Sequence, residues 1–257
     1  METPGPDAYG GMGYRSLFGW SDRLRREGPL LLRVLGEAPL RRVLDLGCGS
    51  GEHSRFLRAQ GFEPTGVDRS PAQLAQAREA DPGGSYREAD LTGLPLPDLA
   101  PQGGALCLGN TLPHLTEEAQ VRAFLAGLAA ALVPGAPVVL QVLNYDRILD
   151  RQERTFPVQV RPGEAEGEET VFLRLMTHHG DGRLTFTPAR LRFRPDGDRP
   201  LEVLAAHAVP LRGWRRAQLE AFLREAGFSL AEVLGSLDGA PWTPDSPDLV
   251  LVARRAS

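Results

Sequence analysis

Three glycines and a following acid in the first third of the chain have the spacing of a nucleoside-binding site. The string VLDLGCGSG runs from Val43 to Gly51, and Asp68 follows 21 residues after Gly47. Glycine lets the backbone turn tightly and lets a ligand approach closely, and a carboxylate on the next strand can accept hydrogen bonds from both ribose hydroxyls. We therefore expect Gly47, Gly49 and Asp68 to hold an adenosine-containing ligand.

Acidic residues beside the glycines indicate which adenosine-containing ligand the loop binds. Glu52 replaces the third glycine of the dinucleotide fingerprint G-x-G-x-x-G, and its charge would repel a pyrophosphate. Asp45, two residues before Gly47, suits a cationic amino group instead of a phosphate. S-adenosylmethionine carries adenosine at one end and an ammonium group at the other. The motif therefore predicts this cofactor and disfavours an NAD-dependent reductase.

A parallel sheet must position these residues, since its strands end at one edge. Short apolar runs alternate with helical patterns between residues 41 and 143, which indicates βαβ units. The predicted strands are 41–46, 62–68, 85–90, 104–109 and 136–143. Ser70 and Thr116 are the predicted N-caps of two intervening helices.

After residue 150 the pattern changes to that of an antiparallel meander. The strings VFLRLMTHH, RLTFTPARLRF and LEVLAAHAV are separated by the turn sequences GDG and PDGD. The α/β pattern resumes with an amphipathic helix from Trp214, followed by two strands. The predicted units are an N-terminal segment and helix over the cofactor site (1–40), an α/β core (41–150 and 212–257) and an inserted β-meander (151–211).

The composition narrows the class of protein. Hydrophobic residues make up 42% and charged residues 24%, the net charge is −4, and all 29 cations are arginine. Nucleic-acid binders usually carry a basic surface, which this acidic chain lacks. Cys48 and Cys107 are too few for a disulfide framework and indicate a reducing compartment. The longest apolar stretch, 125–143, is cut by Pro134 and Pro137, so we expect no membrane span, no signal peptide and a cytoplasmic location.

Five successive strings resemble the motifs of class I S-adenosylmethionine-dependent methyltransferases: VLDLGCGSG, GVDRSPAQL, EADL, LGNTLPHL and LVPGAPVVL. The resemblance implies an α/β fold, a Rossmann-like seven-stranded sheet of order 3-2-1-4-5-7-6 with the last strand antiparallel, carrying an antiparallel β insert. It also implies cofactor-binding roles: the methionine end for Asp45, Gly47, Gly49 and, for its carboxylate, Arg23; the ribose for Asp68; the adenine for Asp90 and Leu91; and the reactive methyl group for Leu108.

Two strings, LGNTLPHL and LNYDRIL, are similar to segments of glycine and sarcosine N-methyltransferases, in which an inserted sheet covers the active site. The similarity implies that the insert 151–211 roofs the acceptor site. Those enzymes are expected to carry an arginine directly before Asn-Tyr-Asp, where this chain has Leu143. The expected acceptor is therefore another small molecule with a nitrogen or oxygen nucleophile.

Polar residues near the ends of the fourth and fifth strands are candidates for orienting the acceptor: Asn110, His114, Asn144 and Tyr145. Of these we predict Asn110, His114 and Tyr145 as catalytic. His114 is a candidate general base, with backbone hydrogen bonding as the alternative. No metal site is predicted, because His178 and His179 are adjacent on a strand and point to opposite faces.

Other functions stay open. A nucleic-acid or protein methyltransferase is opposed by the acidic charge, and by Asn-Thr-Leu-Pro at 110–113 where amino-group enzymes acting on adenine carry Asn-Pro-Pro-Tyr. A non-catalytic S-adenosylmethionine-binding protein is opposed by the intact Asp45, Asp68 and Asp90. The predicted partner is a small-molecule acceptor, and a homodimer is compatible with the sequence.

Overall fold

A computed structural model of the chain describes residues 19–163, 165–197 and 199–256. Residues 1–18 of the predicted N-terminal segment therefore lie outside the described residues. Within these ranges no helix combines the length and apolarity needed to cross a bilayer.

The described chain forms six helices and twelve strands. The helices are α1 (Trp20–Gly36), α2 (Glu52–Ala59), α3 (Pro71–Ala80), α4 (Glu118–Ala131), α5 (Tyr145–Asp150) and α6 (Arg216–Glu225). The strands are β1 (Arg42–Leu46), β2 (Glu63–Asp68), β3 (Ser85–Glu88), β4 (Gly104–Cys107), β5 (Pro137–Leu143), β6 (Gln159–Pro162), β7 (Glu169–His178), β8 (Arg183–Phe193), β9 (Leu201–Ala206), β10 (Val209–Arg212), β11 (Phe228–Leu234) and β12 (Asp248–Arg255).

The central sheet has seven strands in the order β3-β2-β1-β4-β5-β12-β11. Strands β1 to β5 pair in parallel, and β12 runs antiparallel to both of its neighbours. This arrangement confirms the predicted order 3-2-1-4-5-7-6. Strand β4 is buried along its whole length, as expected for a parallel strand between two helical layers. All five parallel strands therefore end at one edge of the sheet.

Local sequence explains where the helices begin. Ser70 caps α3, because its hydroxyl accepts a hydrogen bond from the Gln73 amide at 3.3 Å, and Pro71 is the first helical residue. The prediction that Thr116 caps the next helix is wrong, since Glu117 is the N-cap of α4. The Gln120 side chain accepts a hydrogen bond from the Glu117 amide at 3.1 Å, which satisfies a donor at the helix start.

The insert is an antiparallel sheet, as predicted, in the order β10-β8-β7-β6. Strand β8 pairs with β7 on one side and with β9 and then β10 on the other. Four apolar side chains of this sheet are buried in the same core cluster as β4 and β5: Met176, Leu184, Val209 and Leu211. The inner face of the insert therefore joins the main core, and β10 contacts the segment Leu112–His114 that follows β4.

The chain leaves the insert through a buried tryptophan. Trp214 is fully buried, and its indole N–H donates to the Leu115 carbonyl at 2.9 Å. Its ring also contacts Phe222 of α6 edge-on, with 5.6 Å between ring centroids. The end of the insert is thus fixed to the segment between β4 and α4.

Candidate functional site

A cavity of about 640 Å³ lies at the edge where the parallel strands end. Core loops, α1 and the insert sheet all contribute to its wall. The structure brings together all eight residues predicted to bind the cofactor: Arg23, Asp45, Gly47, Gly49, Asp68, Asp90, Leu91 and Leu108. Asn110 and His114 also line the cavity, whereas the fully buried Tyr145 is not part of its wall.

The glycine loop follows β1 directly. Gly47 has φ of +72°, and its amide donates to the Val67 carbonyl at 2.7 Å. A side chain at this position would clash with Thr111, which holds the Leu108 carbonyl through its own hydroxyl at 2.8 Å. Backbone angle and close packing therefore both require glycine.

Asp68, at the end of β2, joins two loops. Its carboxylate accepts hydrogen bonds from the Gly49 amide at 2.8 Å and the Ser70 amide at 2.9 Å. A carboxylate has about four acceptor positions, so two amides leave room for ribose hydroxyls. Asp68 can thus order the glycine loop and bind a ribose together.

Asp45 lies deeper than Asp68. Its side chain is buried and accepts a hydrogen bond from the Ser54 hydroxyl at 2.6 Å. Burial raises the pKa of Asp45, and the nearby His53 and the bond from Ser54 oppose that rise. A buried acid of this kind favours a neighbouring cation.

Asp90 lies in a turn and not in the strand predicted for 85–90, because β3 ends at Glu88. Its carboxylate caps the turn by accepting from the Thr92 amide at 2.8 Å and the Thr92 hydroxyl at 2.6 Å. Leu91 and Leu108 are buried and line the cavity nearby. An apolar wall beside a carboxylate that can accept hydrogen bonds suits a flat nucleobase.

Helix α1 supplies a polar network that sequence reasoning missed except for Arg23. The Arg23 guanidinium donates to Glu27 at 2.7 Å, and Glu27 contacts the His53 ring nitrogen at 2.8 Å. Burial raises the pKa of Glu27, but the His53 hydrogen bond and the Arg23 charge outweigh it and lower the pKa below its usual value. Arg23 and Glu27 are four residues apart on a helix, a spacing that predicts their ion pair from the sequence. The contact with His53 joins two separate helices and has no such local signal.

Asp248 is a second missed acid. It begins β12 opposite Leu143 and lines the cavity. Burial raises its pKa to about 6, against the hydrogen bond from Gln141. Gln141 in turn accepts from the Gly109 amide at 2.7 Å. The sequence signal for Asp248 was the predicted antiparallel direction of the last strand. An antiparallel β12 begins at the edge where the parallel strands end, which is where the cavity lies.

Asn110 lines the cavity with its backbone in the left-handed region, at φ of +64°. Its carbonyl oxygen accepts from the Leu143 amide at 3.0 Å, and its amide donates to the Tyr145 hydroxyl at 3.0 Å. Tyr145 is fully buried, so the prediction that it contacts the acceptor needs correction. Tyr145 can affect the cavity only by holding Asn110.

His114 lines the cavity, and Asn144 does not. Burial, reinforced by the charge of Arg69, lowers the pKa of His114 to about 4, so its imidazole is neutral at pH 7. Asn144 is fully buried, donates to the Pro244 and Ser246 carbonyls at 3.1 and 3.0 Å, and caps α5. Its predicted role in orienting an acceptor is wrong, because its amide is used within the fold.

The cysteines offer no reactive thiol. Cys48 and Cys107 are buried and free, and burial raises the pKa of Cys107 to about 12. Among the residues that the structure describes, no three His, Cys, Asp or Glu side chains cluster as a metal ion would require.

The insert contributes a wall that the sequence did not predict in detail. Three phenylalanines and two prolines line the cavity from this side: Phe156, Phe172, Phe186, Pro188 and Pro210. Two polar residues accompany them, Gln159 and Arg174. The cavity thus has a charged side on the core and an aromatic side on the insert.

A seven-stranded sheet of this order, with a glycine loop after β1 and an acid after β2, defines the class I methyltransferase fold. Residues 43–135 match the family model described as "Methyltransferase domain". This match over residues 43–135 supports the class that the resemblance of the motifs predicted, the class I S-adenosylmethionine-dependent methyltransferases.

The chain is also similar to curated methyltransferases and to the solved structure of another methyltransferase. The glycine/sarcosine N-methyltransferase of Parasynechococcus marenigrum is 35% identical over 138 residues, which are 52% of this chain and 49% of that protein. The glycine/sarcosine/dimethylglycine N-methyltransferase of Actinopolyspora halophila is 28% identical over 241 residues, 91% of this chain and 39% of that protein. The chain thus spans about half the length or less of these relatives. An amino pentose methyltransferase from Micromonospora echinaspora has the same fold, with a TM-score of 0.71, 24% identity and coverage of 97% of this chain and 95% of that one.

Proposed function

We propose that this chain is an S-adenosylmethionine-dependent methyltransferase acting on a nitrogen or oxygen nucleophile of a small molecule. The observation that carries the proposal is the single cavity lined on one side by the glycine loop and its acids and on the other by the insert sheet. A reaction between two bound molecules needs such a shared site, since alignment alone supplies roughly 7 to 11 kcal/mol.

The residues present fit the cofactor. When bound, it supplies a methyl group on a positive sulfur; transfer breaks the carbon–sulfur bond, leaves that electron pair on sulfur, forms a carbon–nitrogen or carbon–oxygen bond and releases the nucleophile's proton. Asp45 and Asp248 would face its ammonium group, Arg23 its carboxylate and Asp68 its ribose. A Cβ at Gly47 would meet the Thr111 side chain, so glycine lets the loop keep its tight turn beside the cavity.

Two residues would serve the acceptor. His114 is neutral at pH 7, so its imidazole can accept a hydrogen bond from the nucleophile and assist the departure of its proton. Asn110 offers an amide fixed by its bonds to Leu143 and Tyr145. The insert sheet would roof the site and exclude water, and an enclosed site of this size favours a small molecule over a polymer.

Titration calorimetry and a transfer assay test the proposal. We expect S-adenosylmethionine and its demethylated product to bind and NAD not to bind. Labelled methyl groups should then move from the cofactor to members of a panel of amines, amino acids and phenols. NAD binding without binding of either sulfur ligand would reject the proposal, and cofactor binding without any transfer would favour the non-catalytic alternative.

A homodimer is also proposed, through the outer face of the insert sheet. Five apolar side chains there are 42–63% exposed: Val158, Val160, Leu175, Leu201 and Val203. Strand pairing and the two-residue repeat place them on one face. Exposed apolar faces of this kind are typical of interaction sites, and a twofold dimer buries the same face twice. Light scattering should report a dimer that Val203→Arg dissociates and Leu230→Arg, on β11, does not.

A cytoplasmic location is the third part of the proposal. The two cysteines are free and buried, which agrees with a reducing compartment. Cell fractionation tests it, and recovery of the protein outside the cytoplasm would contradict it.

A further inference from the structure

We infer that the methyl acceptor is an apolar, ring-bearing molecule with an anionic group, and that Arg174 binds this group. The inference rests on the proposed function, because it names the substrate class of the same site. Three features of the cavity support it: the apolar wall on the insert side, the position of Arg174 in that wall, and the lack of a carboxylate among the described insert residues that line it.

The insert wall is apolar where it meets the cavity. Phe172 is 3% exposed, and Phe186 pairs with Met176 across β7 and β8 on the same face. Phenylalanine and proline side chains offer no hydrogen bonds, so a small zwitterion placed against them would lose hydration without compensation. An apolar ring buries its own surface there instead.

Arg174 interrupts this apolar face. It lies two residues from Phe172 and from Met176 and opposite Pro188, so all four share the inward face of the sheet. The guanidinium lies 5.5 Å from the centroid of the Phe156 ring and donates to the Pro157 carbonyl at 3.4 Å. A guanidinium can bind a carboxylate or phosphate through two hydrogen bonds in its own plane, and a neighbouring aromatic ring does not compete for those donors.

The two sides of the cavity differ in charge. The core side and α1 carry both signs, because Arg23 accompanies the carboxylates of Glu27, Asp45 and Asp248, which face the cationic part of the cofactor in the proposed function. Arg174 lies on the insert wall, and Arg69 is close enough to His114 to help lower its pKa. An anionic group on the acceptor fits the acceptor end of this cavity.

Binding of three probes to protein saturated with the demethylated cofactor product tests the inference by calorimetry. The probes are 3-phenylpropanoate, 3-phenylpropanamide and glycine. We expect the ring acid to bind at least ten-fold more tightly than the ring amide, and glycine to show no measurable binding. Arg174→Gln should abolish the preference for the acid and Arg174→Lys should keep part of it. The matched control Arg161→Gln, at an exposed arginine of β6, should leave the preference unchanged.

The outcomes separate the two proposals. Equal binding of acid and amide by the unaltered protein, or binding of glycine as tight as that of the ring acid, overturns the inference while the methyltransferase proposal stands. A preference that survives in folded Arg174→Gln removes the role of Arg174. Failure of the demethylated product and S-adenosylmethionine to bind overturns the proposed function itself. The preference of the unaltered protein is measurable even where a variant does not fold.

Discussion

On the core side of the cavity the proposed ligand-binding groups are loop amides and carboxylates at the ends of strands, whereas on the insert side they are side chains projecting from antiparallel strands. The Gly47 amide donates to the Val67 carbonyl, and the Asp68 carboxylate accepts from the Gly49 amide, so a change at Gly47 or Asp68 disturbs the glycine loop. Phe172 and Arg174 project from a strand that is paired through its own backbone, and Arg174 also contacts Phe156 and Pro157 in the segment before β6. The core side is therefore suited to one fixed cofactor, and the insert side can change its ligand while the fold is kept.

The strongest test of the core side is Gly47→Ala. Alanine is strained at φ of +72° and would clash with Thr111, so we expect cofactor affinity to fall more than about 300-fold. Gly61→Ala is the matched control, because Gly61 has φ of +83° and open space around it. Calorimetry should show normal cofactor binding in the control despite a similar strain. Equal losses in both variants would mean that backbone strain alone explains the effect.

The acceptor side is tested by His114→Ala. Loss of a proton acceptor should lower turnover roughly 100-fold while cofactor affinity stays within a few-fold. Since the pKa of His114 is lowered to about 4, the imidazole stays deprotonated as the pH falls from 8 to 5, and its protonation should not reduce turnover in that range. A turnover decline with a midpoint between pH 6 and 7 that disappears in the variant would contradict this assignment.

Asp68→Ala measures the ribose contact. Loss of hydrogen bonds to a charged group costs about 1 to 3 kcal/mol, so cofactor affinity should fall roughly 5- to 150-fold in a folded protein. Asp68→Asn keeps an acceptor for one of the two loop amides and should lose less. Calorimetric affinity close to that of the unaltered protein would move the ribose site elsewhere.

Tyr145→Phe tests whether the buried Tyr145 affects turnover by holding the Asn110 side chain in position. The variant loses one hydrogen bond, about 1 kcal/mol, and we expect turnover to fall about 5-fold with unchanged cofactor affinity. Tyr86→Phe, the same substitution at a buried ring beside Gly51, should leave turnover unchanged. A Tyr145→Phe variant that loses stability but keeps full turnover would assign Tyr145 to the fold alone.

Asp248→Asn should give the smallest effect. The pKa of Asp248 is raised to about 6, above an unfolded value of about 3.9, so the folded state binds more protons between these pH values. The stability contributed by this group is therefore lost as the pH rises through that window. The variant should melt about 2 to 4 °C above the unaltered protein at pH 7.5 and level with it at pH 4. Asp98→Asn, at an exposed position, is the matched control.

The core side could be read from the sequence because its residues follow strands in short local motifs. Asp45, Gly47 and Asp68 lie within 24 residues, and the parallel sheet brings strand ends together whatever the packing elsewhere. Asn144 and Tyr145 also follow a strand, but α5 begins there and directs both side chains into the fold. The same reasoning therefore placed them wrongly in the cavity.

The insert side could not be read in this way. Alternation shows that a strand has two faces, but only register and packing show which face points inward. Phe172 and Leu175 are both apolar, yet one lines the cavity and the other is exposed. Asp248 depended on the antiparallel direction of the last strand, and Glu27 depended on a partner 26 residues away.

The contacts of Trp214 limit where the insert sheet could be replaced by the sheet of another protein. Its indole bonds to the Leu115 carbonyl, next to His114, and a Cβ at the neighbouring Gly213 would press on the Tyr145 ring. If a transplanted sheet placed a residue without a suitable N–H donor at position 214, the Leu115 carbonyl would be unpaired. The loop that carries His114 would then be less firmly held. Engineering new acceptors should therefore keep the segment from Gly213 onward with the core and replace only the strands before it.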